Sequence, residues 1–540
     1  MNLSLAEQVA QMVVVRASGY LFDHQIRYPV WEPPSAQLQH WLQDLAVGGV
    51  LLVDGSAVEI TARTQQLQSW AKFPLLLAAD IEEGVGQRFA GATWFPPPMT
   101  IGTLAATDVK KAVDAAKQMG AITAQEALAI GLNWILAPVV DVNNNPDNPV
   151  INVRSFGETE GTVSQLASAF IRGCQSYPVL TTAKHFPGHG DTAIDSHLEL
   201  PTIPHCDQRL HQLELLPFQA AISTGVDAVM SAHLLIAAWD DQRPATLSRS
   251  ILTGQLRQKL GFEGLIVTDA LVMGAIANQY SPEEAPVLAI EAGADIILMP
   301  VDPEVAIRSV CDAVVSGRIS PERIRASVQR IWKAKAKVYP GWNTKHPGLF
   351  PPEIEKRSFS GLSQRLSSQS AQTVVSHLVR ETLKIGGTIP LERSSQTHTP
   401  PLRNLVIVDD LLNCPFLGNH TPAIAGPAEW GYQLQLIDSK EQLVQESLSS
   451  EGGLTLLQLF IRGNPFRGSE GLTEVAENRL KNLLKTGQLQ ALVIYGSPYA
   501  LDRFRLQIPP DLPYVFSFGQ MPSAQAVVLK TLFGLSTTRR

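Results

Sequence analysis

Eight short apolar runs, each followed by a longer stretch with apolar residues three and four apart, recur up to about residue 340, and few folds accommodate that alternation. The runs are Gln11–Val15, Gly49–Val53, Pro74–Ala79, Asn133–Ala137, Val179–Ala183, Ala228–Ser231, Gly264–Thr268 and Ala294–Met299. The helical patterns between them include Ala57–Lys72, Val109–Ile130, Gln208–Ser223 and Arg249–Leu260. Eight such units predict an α/β fold, a TIM-type (β/α)8 barrel over residues 1–340. A doubly wound open sheet satisfies the same pattern, because periodicity does not report closure. The pattern Pro321–Val338, with Ile324, Val328 and Ile331 at helical spacing, closes this unit. The Pro- and Gly-rich stretch YPGWNTKHPGLFPP marks a linker, residues 341–362. Residues 363–540 read as a smaller α/β domain. Its strand candidates Asn404–Val408, Thr455–Phe460, Ala491–Tyr495 and Tyr514–Phe518 alternate with helical patterns such as Thr473–Leu484 and Ala524–Leu532, and Leu391–Pro401 reads as an exposed loop.

The polar residues narrow the reading further. In such barrels the chemistry sits where strands end and βα loops begin. Asp80 ends the third run, Asp141 follows the fourth, Lys184 and His185 end the fifth, His233 follows the sixth and Asp269 ends the seventh, so these groups are expected on one rim. The densest stretch, KHFPGHGDTAIDSH from Lys184 to His197, holds one lysine, two aspartates, three histidines and two glycines. A loop that rich in ionisable side chains points to catalysis. Gly188 and Gly190 permit backbone angles other residues avoid, and Pro187 stiffens the entry, so His185, His189, Asp195 and His197 can be aimed.

Composition excludes several classes. The 43 Lys and Arg against 50 Asp and Glu leave a net charge of -7 and no basic patch, so no nucleic-acid partner is expected. No run of about 18 apolar residues occurs, so no membrane span is expected. The start, MNLSLAEQVAQMVVV, lacks a secretory leader pattern. Cys174, Cys206, Cys311 and Cys414 are scattered, without metal-type pairs or a disulfide framework, and a reducing cytoplasm fits them. His185, His189, Asp191 and His197 have the chemistry of metal ligands, yet no His-x-His pair ends the first strand and no HExxH helix exists. No metal or other cofactor is expected.

The segment KHFPGHGDTAIDSH resembles the signature of the family 3 glycoside hydrolases, specifically their β-N-acetylhexosaminidase branch. That resemblance implies a retaining exo-β-N-acetylglucosaminidase acting on small cell-wall-derived saccharides or muropeptides through a covalent glycosyl-enzyme. Such chemistry needs a carboxylate to meet the oxocarbenium-like centre and a proton donor for the leaving oxygen. By resemblance Asp269, in the strand-end context GLIVTDALVMGAI, is the nucleophile. The triplet Asp195-Ser196-His197 matches the branch's D-S-H, which implies that His197 is the acid and base and that Asp195 orients it. Asp80 and Arg88 in DIEEGVGQRF, Arg154 in the R-S-F-G element, and the Lys184-His185 pair are implied as sugar contacts. Ile81 and Glu83 depart from the family's D-Q-E-G-G, so the loop after Asp80 is expected to differ in shape. A β-glucosidase of the same family and a non-catalytic sugar-binding barrel are the rival readings. The D-S-H triplet argues against the first and the presence of Asp269, Asp195 and His197 against the second.

Overall fold

A computed structural model describes residues 3–342, 361–391, 401–438, 453–463 and 470–535, so the predicted linker and the loop at 391–401 lie almost wholly outside the described residues. Two compact units result.

The first contains eight parallel strands: β1 Val13–Ser18, β2 Gly49–Val53, β3 Leu76–Ala79, β4 Trp134–Ile135, β5 Leu180–Phe186, β6 Ala228–Ser231, β7 Leu265–Val267 and β8 Ile297–Leu298. They pair in the order β8-β1-β2-β3-β4-β5-β6-β7. A parallel bridge between Val267 and Ile296, with the Thr268 N–H donating to the Ile296 carbonyl at 3.0 Å, joins β7 to β8. The sheet is thus a nearly closed barrel, and the open doubly wound alternative is excluded. The strands form where predicted because a barrel strand is covered on both faces, so continuous apolar runs such as Leu76–Ala79 are buried along their whole length.

Helix starts follow local chemistry. Ser4 with Glu7 and Ser56 with Glu59 cap reciprocally, and Ser320 caps a helix that begins with Pro321. The single helix expected over Gln208–Ser223 is instead two, Asp207–Gln212 and Leu215–Thr224. Pro217 is the reason: in one continuous helix it would lose a backbone bond and clash with the preceding turn, whereas in the first turn of a new helix it fits. The expected helix at Arg249–Leu260 is a π-helix over Ser250–Lys259. Among the described residues no helix is long and apolar enough to cross a membrane.

The second unit carries a six-stranded sheet: β9 Lys384–Gly386, β10 Arg403–Val408, β11 Gln433–Asp438, β12 Thr455–Ile461, β13 Leu489–Gly496 and β14 Tyr514–Ser517. The order is β9-β14-β13-β12-β10-β11, parallel except at the β9 edge. Period-two alternation divides its core. Leu405, Ile407, Leu457, Leu459, Leu492 and Ile494 fall in one buried cluster, and Val406, Val408, Leu456, Phe460, Val493 and Tyr495 fall in the other. The segments Pro96–Thr107 and Pro149–Val153 group with this unit and add Met99 and Val153 to the first cluster.

Candidate active site

Strand ends place the candidate residues. Asp80 follows β3 directly, Lys184 and His185 lie within β5, and Asp269 stands two residues past β7. Asp141 and His233 follow β4 and β6. All sit at the carboxyl ends of adjacent parallel strands, where a barrel collects side chains from distant parts of the chain.

The first group is built on Glu82. Its Oε1 lies 2.6 Å from Lys184 Nζ and 2.8 Å from Arg154 Nη2, while its Oε2 accepts from Arg154 Nε at 2.8 Å. Lys184 Nζ also donates to Asp80 Oδ1 at 2.7 Å. Burial alone would push the Glu82 carboxyl up, but the Arg154 and Lys184 cations outweigh it and hold it well below the usual carboxylate range. Lys184 is raised in turn, because Asp80 and Glu82 overcome the burial that opposes its charge. Lys184 is 1% exposed and Asp80 31%, so the aspartate can accept from a ligand while the lysine anchors it. Arg88 donates from Nε to the Asp80 carbonyl at 3.1 Å, supporting the backbone at the same point. Glu83 is buried and accepts from the Trp94 indole at 3.0 Å, so the departure in that loop is absorbed by a specific partner.

The second group is built on Asp141. This fully buried carboxylate accepts from the backbone N–H of His185 at 3.1 Å and of His189 at 2.7 Å, and it lies 2.7 Å from His185 Nδ1. Burial pushes it up, but the His185 and His189 contacts prevail and hold it below its ordinary value. An ionised carboxylate only accepts, so His185 Nδ1 carries a proton and Nε2 is left for other chemistry.

The same logic governs the dyad. His197 Nδ1 lies 2.7 Å from Asp195 Oδ1, which also accepts from the His197 N–H at 2.9 Å. Nδ1 therefore carries a proton, and the His197 side chain is 18% exposed. His189 and Ser196, between these groups, bond to each other at 2.9 Å.

Asp269 completes the set. Burial raises its carboxyl, yet the imidazoles of His233, His185 and His197 and the Ala270 N–H at 2.8 Å together hold it below the usual carboxylate range, so it is ionised at neutral pH. Burial lowers the His233 imidazole below its ordinary value, against the raising effect of Asp269. Its Nε2 faces the Ala270 carbonyl at 3.0 Å and its Nδ1 the Thr246 hydroxyl at 2.8 Å. A carbonyl only accepts, so Nε2 carries the proton and His233 braces the turn that presents Asp269.

Glu82 was missed by sequence reasoning. Its signal was its place two residues past Asp80, in step with the glutamate of the D-Q-E-G-G pattern. The four histidine and aspartate side chains weighed as metal ligands do not converge: His185 and His197 face Asp141 and Asp195, and His189 faces Thr192 and Ser196. Asp191 instead joins His205 and Glu214, whose ligand-type atoms all lie within 4.8 Å of one another. Arg209 Nη2 lies 3.5 Å from Asp191 and 3.2 Å from Glu214, so a guanidinium supplies positive charge there.

Comparison with known proteins gives a concordant picture. The model described as the glycosyl hydrolase family 3 N terminal domain matches residues 4–334, and that of the bacterial glycosyl hydrolase family 3 C-terminal domain matches residues 395–534. The chain is 36% identical over 342 residues to beta-hexosaminidase A of Pseudoalteromonas piscicida, covering 57% of this chain and 56% of that protein. It is 32% identical over 312 residues to a beta-N-acetylglucosaminidase/beta-glucosidase of Cellulomonas fimi, covering 56% and 54%. The match thus spans little more than half the length of these two relatives. The solved structure of a glycoside hydrolase family 3 beta-N-acetylglucosaminidase from Paenibacillus sp. str. FPU-7 superposes with a TM-score of 0.79 at 29% identity, over 98% of this chain and 97% of that one.

Proposed function

The chain belongs to glycosyl hydrolase family 3, and from that membership we propose that it is a retaining exo-β-N-acetylglucosaminidase. It releases terminal β-linked GlcNAc from saccharides derived from the cell wall, peptidoglycan fragments and muropeptides included. The observation that carries this reading is the Asp195–His197 pair at 2.7 Å, which holds the imidazole in one orientation.

In the first step an Asp269 oxygen bonds to the anomeric carbon while the bond to the leaving oxygen breaks and His197 Nε2 hands that oxygen its proton. In the second, water attacks the same carbon, His197 takes the water's proton, and the ester to Asp269 breaks. Two inversions at one carbon retain its configuration. Asp80, Arg88, Arg154, Lys184 and His185 hold the sugar, and the ion-paired group around Glu82 supports fixed donors and acceptors for its hydroxyls. The four cysteines, all free, support a reducing cytoplasmic location. Recovery of the native protein with the soluble cytoplasmic fraction tests that point, and recovery outside it contradicts it.

The substrate reading is tested by rates on matched aryl glycosides. Hydrolysis of the β-GlcNAc is expected to exceed that of the β-glucoside by ~100-fold or more, a difference of about 2.7 kcal/mol in transition-state binding. The glucoside is the informative comparison because the Cellulomonas fimi relative is named for both activities. Equal rates overturn the reading.

A further inference from the structure

His189 has no part in the steps above, yet it is 1% exposed and bonded at every polar atom of its ring. It stands at the near end of the loop that carries the dyad. That end is clamped: the His189 N–H donates to Asp141 at 2.7 Å, and Asn148 Nδ2 donates to the carbonyls of His189 and Gly190 at 2.8 and 2.9 Å. Gly190 presses against the preceding strand's loop so closely that a Cβ there would lie 1.7 Å from the Val142 carbonyl oxygen. From this fixed base the His189 ring reaches across the loop. Nδ1 lies 3.0 Å from the Thr192 hydroxyl and Nε2 lies 2.9 Å from the Ser196 hydroxyl, and Ser196 is the residue between Asp195 and His197. At the far end the backbone is tied separately, by the Gly274 N–H to the His197 carbonyl at 3.1 Å.

We propose that His189 is a positioning residue: through Ser196 it ties the Asp195–His197 dyad to the barrel wall at Asp141. This rests on the reading of His197 as acid and base. The geometry explains why a histidine stands there. A neutral imidazole offers one donor and one acceptor about as far apart as two hydroxyls across a tight loop require, and burial keeps the ring neutral, with its pKa pushed down to about 4. Neither contact depends on a charge that would vary over the working pH range.

A purely structural histidine and a positioning one differ in which substrates suffer. Protonation matters for a sugar leaving group and little for an activated aryl group such as 2,4-dinitrophenolate. kcat/KM is measured for both substrate types in the wild type and in the His197→Ala, His189→Ala, His189→Gln and Ser196→Ala variants, each checked by circular dichroism. His189→Ala and Ser196→Ala are expected to lower the rate on a GlcNAc disaccharide ~10-fold more than on the activated aryl substrate. A variant combining His189→Ala with Ser196→Ala is expected to lose no more than His189→Ala alone, because both substitutions remove one interaction. His189→Gln, which keeps a donor and an acceptor, is expected to recover part of the difference. Ser196→Ala removes only a hydroxyl and carries the test if His189→Ala does not fold. Equal losses on both substrates, with His197→Ala still selective, overturn the proposal alone. Equal losses in His197→Ala as well overturn the assignment of the acid.

Discussion

Glu82 meets two cations with one carboxylate, so its charge matters more than its shape. Glu82→Gln keeps the volume and leaves Lys184 and Arg154 buried with a weaker partner. A loss of about 3 kcal/mol in stability is expected from the denaturant midpoint, and an unchanged midpoint contradicts the geometry. His189 makes a prediction about pH. An imidazole whose folded value, about 4, lies below its ordinary 6.5 contributes stability that is fully present above pH 6.5 and is lost as pH falls toward 4. Its whole contribution is about 3 kcal/mol. Thermal midpoints measured from pH 7 to pH 4 should therefore fall more steeply in the wild type than in His189→Gln. Parallel curves contradict the neutral, buried imidazole.

The loop from β5 is the element on which the site depends, and Gly190 is where it is most constrained. A methyl group at 1.7 Å from the Val142 carbonyl oxygen must displace one backbone or the other. Gly190→Ala is expected to lower kcat/KM by ~100-fold, since a displacement near 1 Å at a reacting group costs that order; activity within a few-fold of wild type contradicts the close packing. At this scale the sequence was informative about strands and less so about what joins them. Apolar runs marked all eight barrel strands because a strand covered on both faces is mostly apolar along its length. The break at Leu213 and Glu214 was hidden, since the spacing of apolar residues runs on across it and only Pro217 signals a new start. Strands β9 and β11 were overlooked for a related reason: both lie at sheet edges, and QLQLID in Gln433–Asp438 is half polar, with little burial to mark it. Strand ends showed which residues share a rim. The pairings among them, Glu82 with Lys184 and Arg154 or His189 with Ser196, depend on side-chain geometry that no linear pattern carries.

Over the whole molecule, the barrel gathers groups that are far apart in the chain: Asp80 and Lys184 are separated by 104 residues and lie 2.7 Å apart. The family model over residues 4–334 and the Paenibacillus structure agree with that architecture. In the proposed mechanism Asp269, held ionised just past β7, attacks the anomeric carbon. The competing route has the sugar's own acetamido oxygen attack while an enzyme carboxylate only orients it. The two leave different masses on the protein. The intact 540-residue chain is treated with a 5-fluoro GlcNAc analogue bearing a good leaving group, and the mass of the whole protein and then of its peptides is measured. A single added glycosyl group mapped to Asp269, absent in Asp269→Ala, is the predicted result; an adduct on another residue, or turnover of the analogue by an Asp269→Ala variant at the wild-type rate, contradicts it.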